Sequence, residues 1–360
     1  MNAIADIATR PRLLDRLDQI DAGWLTAVLH QSGHADADVV GFAVTPIGAG
    51  NVSDTVRVDL THRHPGSAPR SLVCKFRCSG EQAHAHGISS GSYYRETGSF
   101  PVIAGSCRTP RLHWVAGGHD NINLVMEDLS RSTRAGDQIA GCGPDDARAV
   151  VTELAKLHRT FYPMPIAAAP DWAMTMAATA DYWSDAIDRA LPLIREHAGV
   201  QLTAQEMATV AAIGAAAHRW YTLPVARATL THGDPRVDNI LFLDREDRTV
   251  EAVLIDWQMT GWRNPMHDVG YFLSGSVTVE DRRAHERDLL AHYAAVFGDG
   301  YPPEQITRDY RVQLLSGLVT TTAAYALLPL TDAVQALLLA LIRRNLAAAI
   351  DWDSIAAIDE

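Results

Sequence analysis

The sequence predicts an α+β chain in two lobes, a small β-rich one over 1–127 and a larger, mainly helical one over 128–360. Three observations predict it. Short apolar or alternating runs recur at 39–47, 55–60, 71–76 and 122–126, the pattern of strands. From 144 onward apolar residues recur at helical spacing, beginning with a stripe of Ala147, Val150, Val151, Leu154, Leu157 and Phe161. The helical part is interrupted at 231–257 by THGDPRVDNILFLDREDRTVEAVLIDW. Its apolar runs 240–243 and 250–255 flank the polar turn 244–247 and read as a hairpin.

With 360 residues, 47% of them hydrophobic, the chain has ample material for two domains or one bilobal unit. The formal net charge of −12 argues against a nucleic-acid partner or an anionic membrane. Most of the acidic excess lies in 128–360, either as a solvated surface or as a site that attracts cations. Cys74, Cys78, Cys107 and Cys142 form no CxxC pair, so neither a zinc site nor a disulfide framework is indicated. The N-terminus lacks a basic start followed by an apolar core. The apolar stretch 327–342 is broken by Pro329, Thr331, Asp332 and Gln335. The expectation is a cytoplasmic protein, monomeric or homodimeric.

Taken in order, residues 1–11 read as a loose tail. Asp21 caps a helix running to Gln31, with Ile20 and Leu25 as a hydrophobic staple and Gly33 as the stop. The strand over 39–47 leads into Gly48-Ala49-Gly50-Asn51-Val52-Ser53. Glycines there let backbone N–H groups approach phosphate oxygens. A plain hairpin turn is the other reading, and the missing Gly-Lys-Ser/Thr excludes a Walker loop. The strand 71–76 carries Lys75 among apolar neighbours. A buried ammonium needs a partner, and Glu96, amid the helical spacing of Tyr93, Thr97 and Phe100, is the candidate. Otherwise Lys75 snorkels at a sheet edge. Residues 82–92, rich in His, Gly and Ser, read as a mobile loop. After the strand 122–126, Asp128 and Ser130 can cap a turn.

Pro144 opens the helix that ends near 162. His158 borders its apolar stripe and reads as a core histidine before a ligand. The segment 163–200 holds Met164, Met174, Met176, Trp172, Tyr182 and Trp183, adaptable apolar surface whose default is core packing. Thr203 and Glu206 form a capping box for a helix to about Trp220. Further helices are expected around 281–297, 308–328 and 332–349.

The chemistry concentrates in 231–257. Asp234 follows His-Gly, Asn239 comes five positions later, and Asp256 ends an apolar run. A hairpin returns Asp256 toward Asp234 and Asn239. An amide oxygen and a carboxylate that converge can hold Mg²⁺, and the remaining Asp can take a proton from a hydroxyl, which is the equipment of phosphoryl transfer. A loop Asp and Asn capping turns is the plainer reading. A metal-dependent hydrolase using His232 and the Asp pair is a third.

HGDPRVDN followed by VLIDWQ resembles the motif pair of aminoglycoside phosphotransferases and choline kinases. Within that superfamily the chain is most similar to the ecdysteroid-kinase-like small-molecule kinases. LVMEDL at 124–129, GDQIAGC at 136–142 and ELAKLH at 153–158 support this, and the resemblance covers roughly 40–350. It implies a bilobal protein-kinase-like fold, with a nucleotide-binding lobe over 1–127, a catalytic and acceptor-binding lobe over 128–360, and the nucleotide in the cleft. ATP, or GTP, would be the co-substrate, with Mg²⁺. Gly48, Gly50 and Asn51 would cover the phosphates, and Lys75, set by Glu96, would grip them. Glu127 and Leu129 would meet the adenine edge through their backbone. Asp234 would be the base, and Asn239 and Asp256 the metal ligands. Asp268 would brace the catalytic loop by accepting backbone N–H groups, or would simply cap its helix, and both roles could hold together.

The expected activity is O-phosphotransfer to a hydroxyl of a small molecule, largely apolar. The short stretch 257–267 leaves no room for the platform on which a protein kinase holds its peptide. An aminoglycoside or other antibiotic acceptor is the alternative, and a non-catalytic nucleotide-binding scaffold is the rival from another class.

Overall fold

The computed structural model describes residues 10–48 and 52–360. It divides into two compact units, Met1–Ala104 with Thr109–Ser132, and Gly105–Arg108 with Thr133–Glu360.

The first unit contains α1 (Ala22–Gln31), β1 (Val39–Pro46), β2 (Ser53–His62), β3 (Ser71–Arg77), α2 (Glu81–Ser89), α3 (Ser92–Ile103), β4 (Leu112–Gly117) and β5 (Ile122–Glu127). Its strands form one antiparallel sheet in the order β1-β2-β3-β5-β4. Helix α1 starts as expected, with Asp21 accepting from the Trp24 N–H at 2.7 Å, a cap that contributes about 1 kcal/mol. Its buried face, Trp24, Leu25, Val28 and Leu29, packs on Val56, Val58, Leu72, Cys74 and Phe76 of the sheet. Each such large side chain contributes roughly 1.5–3 kcal/mol on full burial.

One expectation fails here. The His- and Gly-rich stretch read as a mobile loop folds as α2. The cause is Tyr93. Its ring lies so close to Gly87 that a Cβ there would fall 2.5 Å from it. It also stacks on His84, while its hydroxyl donates to the Val52 carbonyl at 2.6 Å. Packing around one aromatic overrides a composition that favours loop.

The second unit is mainly helical. Its helices are α4 (Pro144–Phe161), α5 (Ala180–His197), α6 (Ala204–Tyr221), α7 (Met266–Ser276), α8 (Val279–Phe297), α9 (Pro303–Gln313), α10 (Leu315–Leu327) and α11 (Asp332–Asp351). Between them lie β6 (Arg134–Ala135), β7 (Met174–Thr175), β8 (Thr229–Thr231), β9 (Ile240–Asp244), β10 (Val250–Leu254) and β11 (Gly261–Arg263). The hairpin forms as expected: β9 and β10 pair antiparallel from Ile240 opposite Leu254 to Asp244 opposite Val250. The capping box of α6 is also present, with Thr203 and Glu206 each accepting the other's N–H.

The segment 163–200 contains α5, which periodicity had not isolated, and Met176 there belongs to the core with Ile187, Ile194, Ile213, Trp220, Leu318 and Leu346. The single helix expected around 308–328 is two helices meeting at Leu314. The break coincides with a crossing by α7, where a Cβ on Gly270 would lie 2.5 Å from the Gln313 carbonyl oxygen. Among the described residues, α11 is long and apolar enough to cross a membrane. In the fold its Leu338, Ile342, Leu346 and Ala349 lie in the core, and Asn345 is hydrogen-bonded to Ser274 and Thr321.

Candidate active site

In the first unit, β3 presents Lys75 and α3 presents Glu96. The Lys75 ammonium lies 2.8 Å from both Glu96 carboxylate oxygens, and both side chains are buried. The pairing expected from an ammonium inside an apolar strand is therefore met, and snorkelling at an edge is not. Gly48 has a φ of +77°, the left-handed region that suits glycine. Ala49, Gly50 and Asn51 lie outside the described residues. Glu127 ends β5 and accepts from the Arg111 N–H at 3.1 Å, and Leu129 is buried. Asp128 takes the turn role, accepting from the Ser130 N–H at 3.0 Å while pairing with Arg57 at 2.9 Å. Burial pushes the Asp128 carboxyl up, but hydrogen bonds from Ser130 and Ser71 outweigh it and hold the group below its ordinary value.

In the second unit the segment 232–239 is fastened residue by residue. Asp268 accepts the His232 N–H at 2.6 Å and the Gly233 N–H at 2.9 Å. That is the bracing role; Asp268 is not the N-cap of α7, which is Pro265. Burial drives the Asp268 carboxyl up, yet hydrogen bonds with His158 and His267 more than offset it and leave the group well below the carboxylate range. His158 spans Asp268 at 3.1 Å and the Tyr293 hydroxyl at 2.9 Å, wholly buried. It is a core histidine, as expected, but one whose partner is the loop brace.

Gly233 has a φ of +87°, and a Cβ there would stand 2.0 Å from the Met259 carbonyl oxygen, so the position admits no side chain. Both ring nitrogens of His232 are occupied by backbone: Nε2 donates to the Ile255 carbonyl at 2.9 Å, and Nδ1 accepts the Asp234 N–H at 3.3 Å. That removes His232 as a metal ligand and with it the hydrolase reading. His232 instead ties the Asp234 turn to the chain leading into Asp256.

Three further residues fix the loop that sequence reasoning did not single out. Gln138 accepts the Val237 N–H at 2.8 Å and donates to the Gly275 carbonyl at 2.9 Å. The Ser276 hydroxyl oxygen shares the Val237 N–H at 3.0 Å. The Tyr271 hydroxyl donates to Asp234 Oδ1 at 2.6 Å. Burial first, then the Asp234 charge, pushes the Tyr271 phenol far up, so it stays a donor. Asp268, Tyr271, Gly275 and Ser276 stand at i, i+3, i+7 and i+8 of α7, one face of the helix. A residue spacing of this kind was visible in the sequence, but it reads equally as an ordinary core stripe.

Asn239 Nδ2 donates to the Asp234 main-chain oxygen at 2.9 Å and to Asp234 Oδ2 at 3.1 Å. An amide nitrogen has two hydrogens. Both are engaged by Asp234, which leaves the Asn239 amide oxygen as its remaining polar atom. The Ile255 N–H donates to the Asn239 carbonyl at 3.1 Å, so the residue before Asp256 is tied to Asn239 directly. Asp256 has a φ of +66° and accepts from Gln258 Nε2 at 3.1 Å. A non-glycine residue in this region is uncommon and clusters at functional sites. An amide oxygen and a carboxylate, on stretches of chain joined by the Ile255–Asn239 hydrogen bond, make a hard-oxygen donor set, which suits Mg²⁺. Among the described residues no three His, Cys, Asp or Glu side chains gather as a metal cage. Mg²⁺ needs none, since it takes one or two protein oxygens with substrate phosphates and water. The residues present fit the ion.

Arg236 lies 3.7 Å from Asp234 Oδ2, and the Asp234 charge raises its pKa. Arg263, wholly buried behind the turn, donates to Thr231 Oγ1 at 2.8 Å and to the Met259 carbonyl at 3.2 Å, and desolvation lowers its pKa.

A family model described as the ecdysteroid kinase-like family matches residues 52–300. Among solved structures, the GDP complex of wild-type aminoglycoside 2′-phosphotransferase-IIIa is similar, with a TM-score of 0.53 and 14% identity over 85% of this chain and 93% of that one. The Plasmodium vivax ethanolamine kinase has a TM-score of 0.50 and 10% identity over 91% of this chain and 89% of its own. No curated protein matches. At such identities the likeness is one of fold, and the fold is kinase-like, a β-rich part followed by a mainly helical part.

Proposed function

The chain belongs to the ecdysteroid kinase-like family, and on that premise we propose that it transfers the γ-phosphoryl group of a nucleoside triphosphate to a hydroxyl of a small molecule. The observation that carries the reading is the Asn239 amide, whose two N–H bonds go to Asp234, while the Asn239 main-chain carbonyl accepts the N–H of Ile255, the residue before Asp256. One short loop thus separates the two tasks of phosphoryl transfer. Asp234 is the base, and Asn239 with Asp256 is the metal side.

In the step itself the acceptor oxygen forms a bond to the γ-phosphorus as the bridging P–O bond breaks. The bonding pair leaves with the nucleoside diphosphate, and the acceptor proton passes to Asp234. Asn239 and Asp256 would hold Mg²⁺, which when bound neutralises phosphate charge. Lys75, paired to Glu96, would supply a fixed cation to the phosphates, and Gly48, Gly50 and Asn51 would supply backbone donors. Glu127 and Leu129 would offer backbone groups to the base. Catalysis would rest on positioning and charge neutralisation.

For the acceptor, the Met-, Trp- and Tyr-rich segment 163–183 carries exposed apolar side chains, Met164 and Tyr182 among them, while Trp183 stacks on the buried Tyr221 at the core. That favours a largely apolar alcohol. The net charge of −12 favours the second reading, a cationic aminoglycoside. The aminoglycoside phosphotransferase of similar fold was solved with GDP, so GTP belongs in the assay beside ATP.

The test is a panel of apolar alcohols, aminoglycosides, small amino alcohols and peptides, with radiolabelled ATP or GTP and Mg²⁺. Label in an apolar alcohol supports the first reading, and label in an aminoglycoside supports the second. Transfer to peptide alone, with none to any small hydroxyl, overturns the proposal.

A further inference from the structure

We propose that Tyr271 is a positioning residue for the transfer, its hydroxyl fixing the carboxylate of Asp234 in the orientation from which that group meets the acceptor. The inference rests on the assignment of Asp234 as base. The carboxylate hangs from its backbone by two rotatable bonds. Asn239 Nδ2 holds Oδ2 at 3.1 Å, but a tether on one oxygen leaves the plane of the group free to swing. The Tyr271 hydroxyl takes the other oxygen at 2.6 Å, the shorter of the two contacts. With a donor on each oxygen the plane is set, and each oxygen keeps a lone pair for an incoming hydroxyl.

The placement of Tyr271 gives the tether its stiffness. It stands one turn after Asp268 on α7, and Asp268 holds the His232 and Gly233 N–H groups. One turn of one helix therefore fixes both the backbone that carries Asp234 and the side chain that does the work. Asn239 holds the loop from within, whereas Tyr271 holds it from outside. A group kept near its reacting geometry avoids an ordering cost at the moment of reaction.

Tyr271→Phe keeps the ring and removes the donor. A hydrogen bond to a charged group is worth enough that kcat should fall roughly tenfold to a hundredfold, while nucleotide affinity stays unchanged. In an Asp234→Asn background the same substitution should add little, because the carboxylate it positions is gone. A second readout needs no acceptor. Crystal structures of wild type and Tyr271→Phe should show Asp234 in one rotamer and in a changed or split one, respectively. An unchanged or raised kcat in Tyr271→Phe, an equal loss with and without the Asp234 carboxylate, or an unmoved Asp234 rotamer overturns the inference. An Asp234→Asn variant as active as wild type instead overturns the base assignment, and the rotamer comparison still reports on Tyr271.

Discussion

The Lys75–Glu96 pair and the Asp234 loop hold charged groups in place by different means. In the first, a strand and a helix each bring one full charge, and each charge answers the other at 2.8 Å inside an apolar sheet. In the second, the charge on Asp234 is surrounded by neutral donors from Tyr271 and Asn239, with Arg236 at 3.7 Å, and the backbone beneath it is tied to Asp268, Gln138 and Ser276. A buried ion pair is fragile to the loss of either member, because the survivor stays buried. A loop with many separate ties yields gradually, and only the group doing the chemistry is irreplaceable. The contrast predicts where substitutions act on chemistry and where they act on folding.

The largest effect separates chemistry from structure. Asp234→Asn should lower transfer about a hundredfold or more while nucleotide binding and thermal stability persist. Retention of a tenth of the rate would end the role assigned to it. The pair should behave oppositely: Lys75→Ala or Glu96→Ala alone should each cost stability, on the order of 3–5 kcal/mol, with activity falling too. The double variant should cost clearly less than the sum, and simple additivity in a denaturation cycle would show that the two do not act together.

A pH titration of stability sharpens the same contrast. The folded Asp268 carboxyl sits below its unfolded value, so its contribution is present above the ordinary carboxylate pKa of about 4 and fades as pH falls through the lower folded value. Wild-type stability should therefore drop more steeply below about pH 4 than that of Asp268→Asn. Parallel curves would mean the carboxylate is not stabilised in the fold. The smallest effect is a control at a residue that belongs to neither region. Thr203→Ala removes the α6 cap and should cost about 1 kcal/mol with kcat unchanged.

What could be read from the sequence was whatever is encoded by a short, fixed spacing. Thr203 and Glu206 are three apart, the hairpin over 240–254 has its turn in view, and an ammonium within an apolar strand demands a partner, for which Glu96 was at hand. Asp268 was legible only through the resemblance, which implies an Asp bracing the catalytic loop. Tyr271 was not. In VGYFLS its spacing fits a buried helix face, and only the direction of α7 past the loop turns it toward Asp234. Gln138 lay inside a quoted phrase, yet nothing local says that its amide reaches a backbone N–H about a hundred positions on. Helix α2 was missed for a related reason. Its stability comes from Tyr93, which follows it, and not from its own composition.

The face of α7 that carries Asp268, Tyr271, Gly275 and Ser276 works as a jig. A jig sets several parts at once, so its own seating decides the tolerance of all of them. That seat is Gly270 on another side of the same helix, where a single added carbon would meet the Gln313 carbonyl oxygen at 2.5 Å. Any side chain there forces α7 or the junction of α9 and α10 to move, and with α7 move the turn under Asp234 and the tie on Val237 together. The alignment of the base therefore depends on an atom that is absent, at a residue with no chemistry of its own.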